Sequence, residues 1–465
     1  MTRRYFLESA LLAQGWAQGA LVSVSDDGRI TAIDTPSTHR AAPSGAENIA
    51  GFVVPGMANA HSHAFQRAMA GNTEFRLSAR DSFWTWRQAM YTLANRIEAE
   101  DLQILATQLF IEMLKSGYTS VAEFHYLHRQ SNGDLYPGAN GLWDAIGAAA
   151  TAAGIGLTFL PTLYQASDFG AQPLKSEQRR FAMDTEFFLR AVESRVGAER
   201  RHAPATLRTG AAFHSLRAVP PRALREATLA LRNIDATLPV HIHVAEQLQE
   251  VQACKLATGR RPIELLLDSG LLTQYWCLVH ATHATVQELQ GIVAAAATVC
   301  VSISTEANLG DGLFDASRFL KLGGRVCVGS DSQSTVCPAE ELRWMEYQQR
   351  LRKKRRAVLA GKTEPHVGTR LWRDAAQHGA QAIGQPAAAI AVGQRADWLV
   401  LDATHPSMAG ATAQTALDHL LFAGGSAAIR DVMVAGRWVI RDHHHAAEDH
   451  LRGRFAQVMG QYRAP

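Results

Sequence analysis

Cysteine is scarce in this chain and never paired in sequence. Cys254, Cys277, Cys300, Cys327 and Cys337 are spread over 465 residues without a CxxC motif. An odd, scattered set excludes a disulfide framework and a CxxC-type zinc ribbon. Cys277, Cys300 and Cys327 fall in apolar runs, so the expectation is reduced core residues of a cytoplasmic protein. Apolar runs of membrane-spanning length are missing as well, so no membrane helix is expected. Charge of one sign is also lacking. The 46 Lys and Arg nearly balance 43 Asp and Glu, and a formal net charge of +3 gives no reason to expect a nucleic-acid partner. There is no internal repeat, no low-complexity linker and no GxGxxG after the first barrel-type strand, which removes the main support for a dinucleotide fold. The opening MTRRYFLESALLAQG holds Arg3-Arg4, but its apolar stretch is short and broken by Glu8. It is expected to be a first strand rather than a targeting signal.

The residues present describe an ordinary globular chain, 47% hydrophobic and 19% charged, long enough to bury a large core. Both ends look β. RRYFLESALL and GALVSVSDDGRITAID read as strands, with Asp26-Asp27-Gly28 as a hairpin signal. AVGQRADWLVLDA and IRDVMVAGRWVIRDH repeat the pattern near the other end, with Ala435-Gly436 as a turn. Chain ends often lie close in space. The expected organisation is therefore a small β-sandwich shared by residues 1–54 and 386–465, with a C-terminal helix, flanking a central domain over 55–385.

The centre alternates short apolar runs with amphipathic stretches. Eight candidate strands can be counted: 52–57, 119–126, 154–164, 207–215, 238–246, 276–282, 297–304 and 325–332. Between the first two lies DLQILATQLFIEMLKSG, apolar at helical spacing and stopped by Gly117. Eight β-runs separated by helices predict an α/β fold, a (β/α)8 TIM-like barrel, with an open doubly wound sheet as the structural alternative.

In such a barrel the chemistry sits where strands run into the following loops. The first strand is followed by PGMANAHSHAFQ, which sets His61 and His63 one residue apart. The fifth ends in HIHVAEQ, the sixth in LVHATHA and the eighth in GSDSQ. His61, His63, His243 and Asp331 are the expected ligands of one divalent metal ion, Zn2+ or Fe2+, because neutral imidazole and carboxylate suit both. A metal there lowers the pKa of a bound water. Glu246, three residues past His243, is placed to carry a proton between that water and a leaving group. His280 is placed to hydrogen-bond an oxyanion, and Asp331 can also take the water's proton. His241 reads as a packed strand-interior residue, and His283 as a loop residue without a role. Two-metal barrels of this kind need a bridging group, often a carboxylated lysine on strand four. Between Ile155 and Ala245 the one lysine is Lys175, in a loop-like stretch, so a mononuclear centre is expected. RLRKKRR, from Arg350, reads as a solvated helix face, and His443, His444 and His445 as a surface turn.

HSH after strand one, HxxE at strand five, His at strand six and SD at strand eight resemble the amidohydrolase superfamily in its mononuclear deaminase branch. HSHAFQRAMAG, DSFWTWRQAMY, GYTSVAEFHYLH, FHSLRAV, STEANLGDG and LFAGG carry a closer resemblance, to a subfamily that deiminates formimino derivatives of glutamate in a histidine-degradation route. That resemblance implies hydrolysis of a C=N bond with release of ammonia, a homodimer, and a small dianionic substrate. Its carboxylates would be held by Gln66, Arg87, Tyr126, His214 and Arg217. The residues agree in kind, since an arginine fork matches a carboxylate. Trp84 and Trp86 read as packing. Two other readings stay open at this point. One is a deaminase of a heterocyclic ring (purine, pyrimidine or triazine); the other is a non-catalytic barrel serving as a scaffold.

Overall fold

The computed structural model describes residues 2–35, 41–75, 82–136, 141–202, 204–386 and 388–462. Asp81, at the head of the DSFWTWRQAMY stretch, lies outside them.

Two sheets organise the chain. The first is built from both ends. Strands β1 (Arg3–Leu12), β2 (Gly15–Val24), β3 (Ile30–Asp34) and β4 (Glu47–Pro55) precede the barrel. The second sheet is the barrel, built from β5 (Met57–Ser62), β6 (Tyr118–His125), β7 (Gly156–Leu163), β8 (Leu207–Thr209), β9 (Ala211–Ser215), β10 (Val240–Val244), β11 (Trp276–His280), β12 (Thr298–Val301) and β13 (Arg325–Val328). Strands β14 (Trp398–Leu401), β15 (Ile429–Val434) and β16 (Arg437–Ile440) then complete the first sheet. Its order is β16-β15-β14-β4-β1-β2-β3.

The small domain expected from both ends is therefore one continuous sheet, curled so that its hairpin turns meet: Gly28 packs directly on Ala435. One face closes around a core of its own, where Tyr5 meets Trp398 and Trp438 edge-on at 5.6 and 6.0 Å. The other face, with Leu11, Val54, Leu399 and Val432, joins the barrel's core. Alternating residues of a strand face opposite ways, so each strand serves two cores at once.

The first barrel strand lies later than its sequence expectation. The apolar run Phe52–Val54 belongs to β4, pairing with β14 in the terminal sheet. The barrel begins at Met57, and His61 lies inside β5 with His63 just after it. The run 207–215 is divided at Gly210 into β8 and β9. All neighbouring pairs from β5 to β13 are parallel. The ring is closed by a bridge between Ser62 and Asp331 and by the N–H groups of Ser330 and Asp331 donating to the His61 carbonyl at 3.1 and 3.0 Å. Asn59 reinforces the seam: its Nδ2 donates to Ser330 Oγ at 2.7 Å, and its Oδ1 accepts from Ser330 N–H at 3.1 Å.

The helix predicted after strand one spans Ala99–Ser116 and buries Leu102, Leu105, Leu109 and Met113. That three-to-four spacing puts one face on the barrel. Gly117 ends it at φ 109°, a left-handed cap that favours glycine. Lys115 in its last turn pairs with Glu448 at 2.7 Å, fastening the terminal helix Glu448–Gln461 to the barrel.

All five cysteines are free, and four are buried. Residues 351–356 of the basic run are exposed at a helix end, as a solvated face requires. His443 and His444 are exposed too, but His445 is not part of a surface turn: it is buried, with Nε2 on the Ala153 carbonyl at 3.0 Å. Among the described residues no helix is long and apolar enough to cross a membrane.

Candidate metal centre and active site

The barrel brings His61, His63, His243 and Asp331 together. One donor atom from each lies within 4.8 Å of all the others, and all four residues are buried. His61 Nε2 and His63 Nε2 are each 3.4 Å from Asp331 Oδ1. His61 Nε2 and His243 Nε2 are 3.0 Å apart.

The tautomers can be argued from the backbone. His63 Nδ1 lies 2.8 Å from the Phe124 carbonyl, and His243 Nδ1 lies 2.8 Å from the His214 carbonyl. A carbonyl only accepts, so both Nδ1 atoms carry protons and both Nε2 lone pairs point into the cluster. Burial pushes His61, His63 and His243 below the ordinary imidazole range, His63 to about 3, so the rings are neutral at pH 7. Burial alone would raise Asp331, but His61, His280 and His63 outweigh it and hold the carboxyl ionised. Neutral nitrogen lone pairs and one carboxylate, aimed at a common point in a buried pocket, fit a single divalent cation. Among the described residues no lysine lines the site, and β9 ends in His214-Ser215.

Glu246 and His280 stand beside this cluster. Asp331 Oδ2 and Glu246 Oε1 are each 3.7 Å from His280 Nε2, while Glu306 Oε1 is 3.3 Å from its Nδ1. Burial raises Glu246 to about 7, His280 pulls it down, and the Asp331 and Glu250 carboxylates push it up. His280 is driven the other way. Burial disfavours its charge, but Glu246, Glu306 and Asp331 prevail and raise it well above the usual value. The backbone is bent sharply here: Ala245, His280, Ala281 and Asp331 have φ of 52°, 72°, 51° and 48°. Left-handed backbone in non-glycine residues costs roughly 1–3 kcal/mol each and gathers at functional sites.

A pocket with polar and aromatic walls opens from the metal cluster. Gln66, Arg87, Tyr126, His214 and Arg217 all line it. Gln66 Nε2 donates to Tyr126 Oη at 2.9 Å. Arg217 Nη1 donates to the Ser167 carbonyl at 2.8 Å and lies 3.3 Å from Tyr164 Oη. Arg87 sits in the helix Phe83–Ala94, its guanidinium 4.3 Å from the centre of the Trp84 ring. Trp84 is thus a wall of this pocket and the platform for Arg87, not simple packing; Trp86 lines it too.

Other residues lie outside the pocket's chemistry or were not visible from sequence. His241 is buried inside β10 with Nε2 on the Ala382 carbonyl at 2.8 Å, a packed histidine. His283 lies past β11 on the following loop. Tyr164, Tyr91, Glu250 and Asp311 were missed. Tyr164 directly follows β7, a position that could have singled it out. Tyr91 is four residues from Arg87 on one helix face, so helical spacing held that signal. Burial and the neighbouring Glu246 hold Asp311 protonated, at about 9.

A closed parallel barrel with a His-His-His-Asp cluster at its mouth and a glutamate beside it is the architecture of a metal-site barrel of the hydrolase kind. The model of the amidohydrolase family matches residues 52–439, and the chain belongs to that family. It is 48% identical over 456 residues to the formimidoylglutamate deiminase of Pseudomonas aeruginosa, covering 98% of each chain. It is 26% identical over 439 residues to a 5-methylthioadenosine/S-adenosylhomocysteine deaminase of Shouchella clausii, covering 90% of this chain and 89% of that one. The crystal structure of an amidohydrolase from Brucella melitensis superposes with a TM-score of 0.92 at 38% identity, over 99% of this chain and 100% of that one.

Proposed function

We propose that this chain is a formimidoylglutamate deiminase, converting N-formimino-L-glutamate and water to N-formyl-L-glutamate and ammonia in histidine degradation. One observation carries the reading. A single pocket joins the His/Asp cluster and Glu246 at one end to Arg217 and Arg87 at the other. The near-full-length likeness to a formimidoylglutamate deiminase supports the same substrate.

His61, His63, His243 and Asp331 would hold one divalent cation, Zn2+ by the donor set with Fe2+ as the alternative. When bound, the cation supplies a water of lowered pKa and polarises the C=N carbon. Glu246 accepts the proton that this water gives up. It then delivers that proton to the imino nitrogen. The water's oxygen is by then bonded to the formimino carbon as a hydroxyl. Glu246 carries the hydroxyl proton to the same nitrogen, the C–N bond breaks, ammonia leaves and the formyl C=O forms, so the sum is one water consumed. A carboxyl titrating near neutrality can both take and give the proton. His280, between Glu246 and Asp331, donates a hydrogen bond to the developing oxyanion. Arg217 and Arg87 hold the two carboxylates of an acyclic dianion, with Gln66, Tyr126 and His214 completing the wall. Free, buried cysteines support a cytoplasmic enzyme, and the subfamily resemblance supports a homodimer.

The test is ammonia release by metal-loaded protein from N-formimino-L-glutamate, compared with guanine, adenosine and cytosine. Release from the formimino compound alone is expected. Release from a ring and not from the formimino compound would replace this reading with that of a heterocycle deaminase.

A further inference from the structure

Glu250 brings a second carboxylate to the Glu246 side of the pocket, and the reaction above does not use it. Its Oε1 accepts from the N–H of Ala245 at 3.1 Å, and its Oε2 accepts from the N–H of Glu246 at 2.9 Å. These are the two residues directly after β10, and Ala245 takes the left-handed φ of 52°. The same turn is held from the other side. The Val244 carbonyl accepts from Ala281 N–H and the Ala245 carbonyl from His283 N–H, both at 3.1 Å. The backbone leading into Glu246 is thus gripped by Glu250 on one side and by the segment after β11 on the other.

Helix capping alone does not account for this. Glu250 is the third residue of the helix Leu248–Thr258, whose N-cap is Gln247. A glutamate there ordinarily reaches back to the N–H of the N-cap itself. Glu250 instead reaches past Gln247 to the two residues before it. Burial raises the Glu250 carboxyl, while the Ala245 and Glu246 amides and Arg217, which lines the same pocket, pull it down. The contact that the structure shows for Glu250 is geometric: both its oxygens are taken up by the two amides after β10.

We infer that Glu250 is a positioning residue: by clamping two consecutive amides after β10 it aims the Glu246 carboxyl at the reacting nitrogen, while touching no reacting atom itself. The inference rests on Glu246 being the proton carrier.

The experiment is a double-mutant cycle on full-length, metal-loaded protein with Glu250→Gln, Glu246→Gln and the pair. Glu250→Gln is expected to lower kcat about tenfold or more, with metal content unchanged and KM the same or lower; in the Glu246→Gln background the same change should cost less than about twofold, because no carboxyl is left to aim. Equal losses in both backgrounds overturn the inference. Should the Gln variant fail to fold, Glu250→Asp keeps the charge but draws the acceptors back by one methylene, and the same non-additivity is expected. Amide exchange at Ala245 and Glu246 provides a readout without substrate. Faster exchange in the variants supports the clamp, and unchanged exchange overturns it. Wild-type protein that releases no ammonia from N-formimino-L-glutamate tells against the functional reading, whereas the exchange result judges the clamp on its own.

Discussion

His61 Nε2 and His243 Nε2 face each other at 3.0 Å, and the His243 lone pair is committed to that direction because its Nδ1 proton goes to the His214 carbonyl. Two nitrogen lone pairs that close repel unless a cation or proton lies between them. Chelation should therefore abolish ammonia release and lower Tm, and re-addition of Zn2+ should restore both, since a ligand bound by the folded state alone stabilises it. Metal analysis should return one ion per chain. Full activity in metal-free protein would refute the centre.

Glu246→Gln keeps the size of the side chain and removes its ability to hold a proton. The metal cluster is left intact, so bound metal should be unchanged while kcat falls by about two or more orders of magnitude. Turnover close to wild type would end the proton-carrier role.

Arg217→Ala removes a guanidinium from the pocket wall and leaves the metal cluster and Glu246 in place. Hydrogen bonds to charged groups are worth about 1.5–3 kcal/mol, so KM should rise roughly tenfold or more, with kcat less affected. An unchanged KM would remove Arg217 from the substrate contacts. The same measurement on Arg87→Ala tests the second arginine.

Activity should rise with pH through an acidic limb. Glu246 must be ionised to take the water's proton, and burial raises it to about 7. A nearby dication favours the ionised form, so in the loaded enzyme the limb of kcat/KM should fall at or below that value. A profile that climbs only above pH 8 would be incompatible with Glu246 as the base.

Gly329→Ala tests the barrel seam. An added Cβ would lie 2.7 Å from His61 Cβ and 2.8 Å from the His61 carbonyl oxygen, and backbone cannot yield cheaply. The variant should be destabilised by about 1–3 kcal/mol or more and should lose metal affinity along with stability. Wild-type metal content and Tm would show that the seam relaxes.

The ligand set was legible in sequence because barrel chemistry sits at strand ends and strand ends can be read from apolar runs. His243 and Asp331 each closed such a run, and His61 and His63 followed shortly after the first one. The limits of that method show at Phe52–Val54. The run has the composition of a barrel strand but pairs with β14, more than 340 residues later. A continuous apolar run says that a segment is buried on both faces and is silent about which sheet buries it. Glu250 and Asp311 escaped for a related reason. Each is an acidic residue in a polar stretch, and its place beside Glu246 follows from how the segments after β10 and β12 fold over the mouth.

By itself the chain determined the candidate metal donors, the candidate proton carrier and the order of strands and helices, since these depend on residue type and local spacing. Tertiary structure alone decided which lone pairs converge, how Trp84 and Arg87 form a wall, which sheet claims β4, and why Glu250 holds the backbone beside Glu246. Those relationships join residues that local sequence cannot relate, and they exist only once ring closure has set the strand ends side by side.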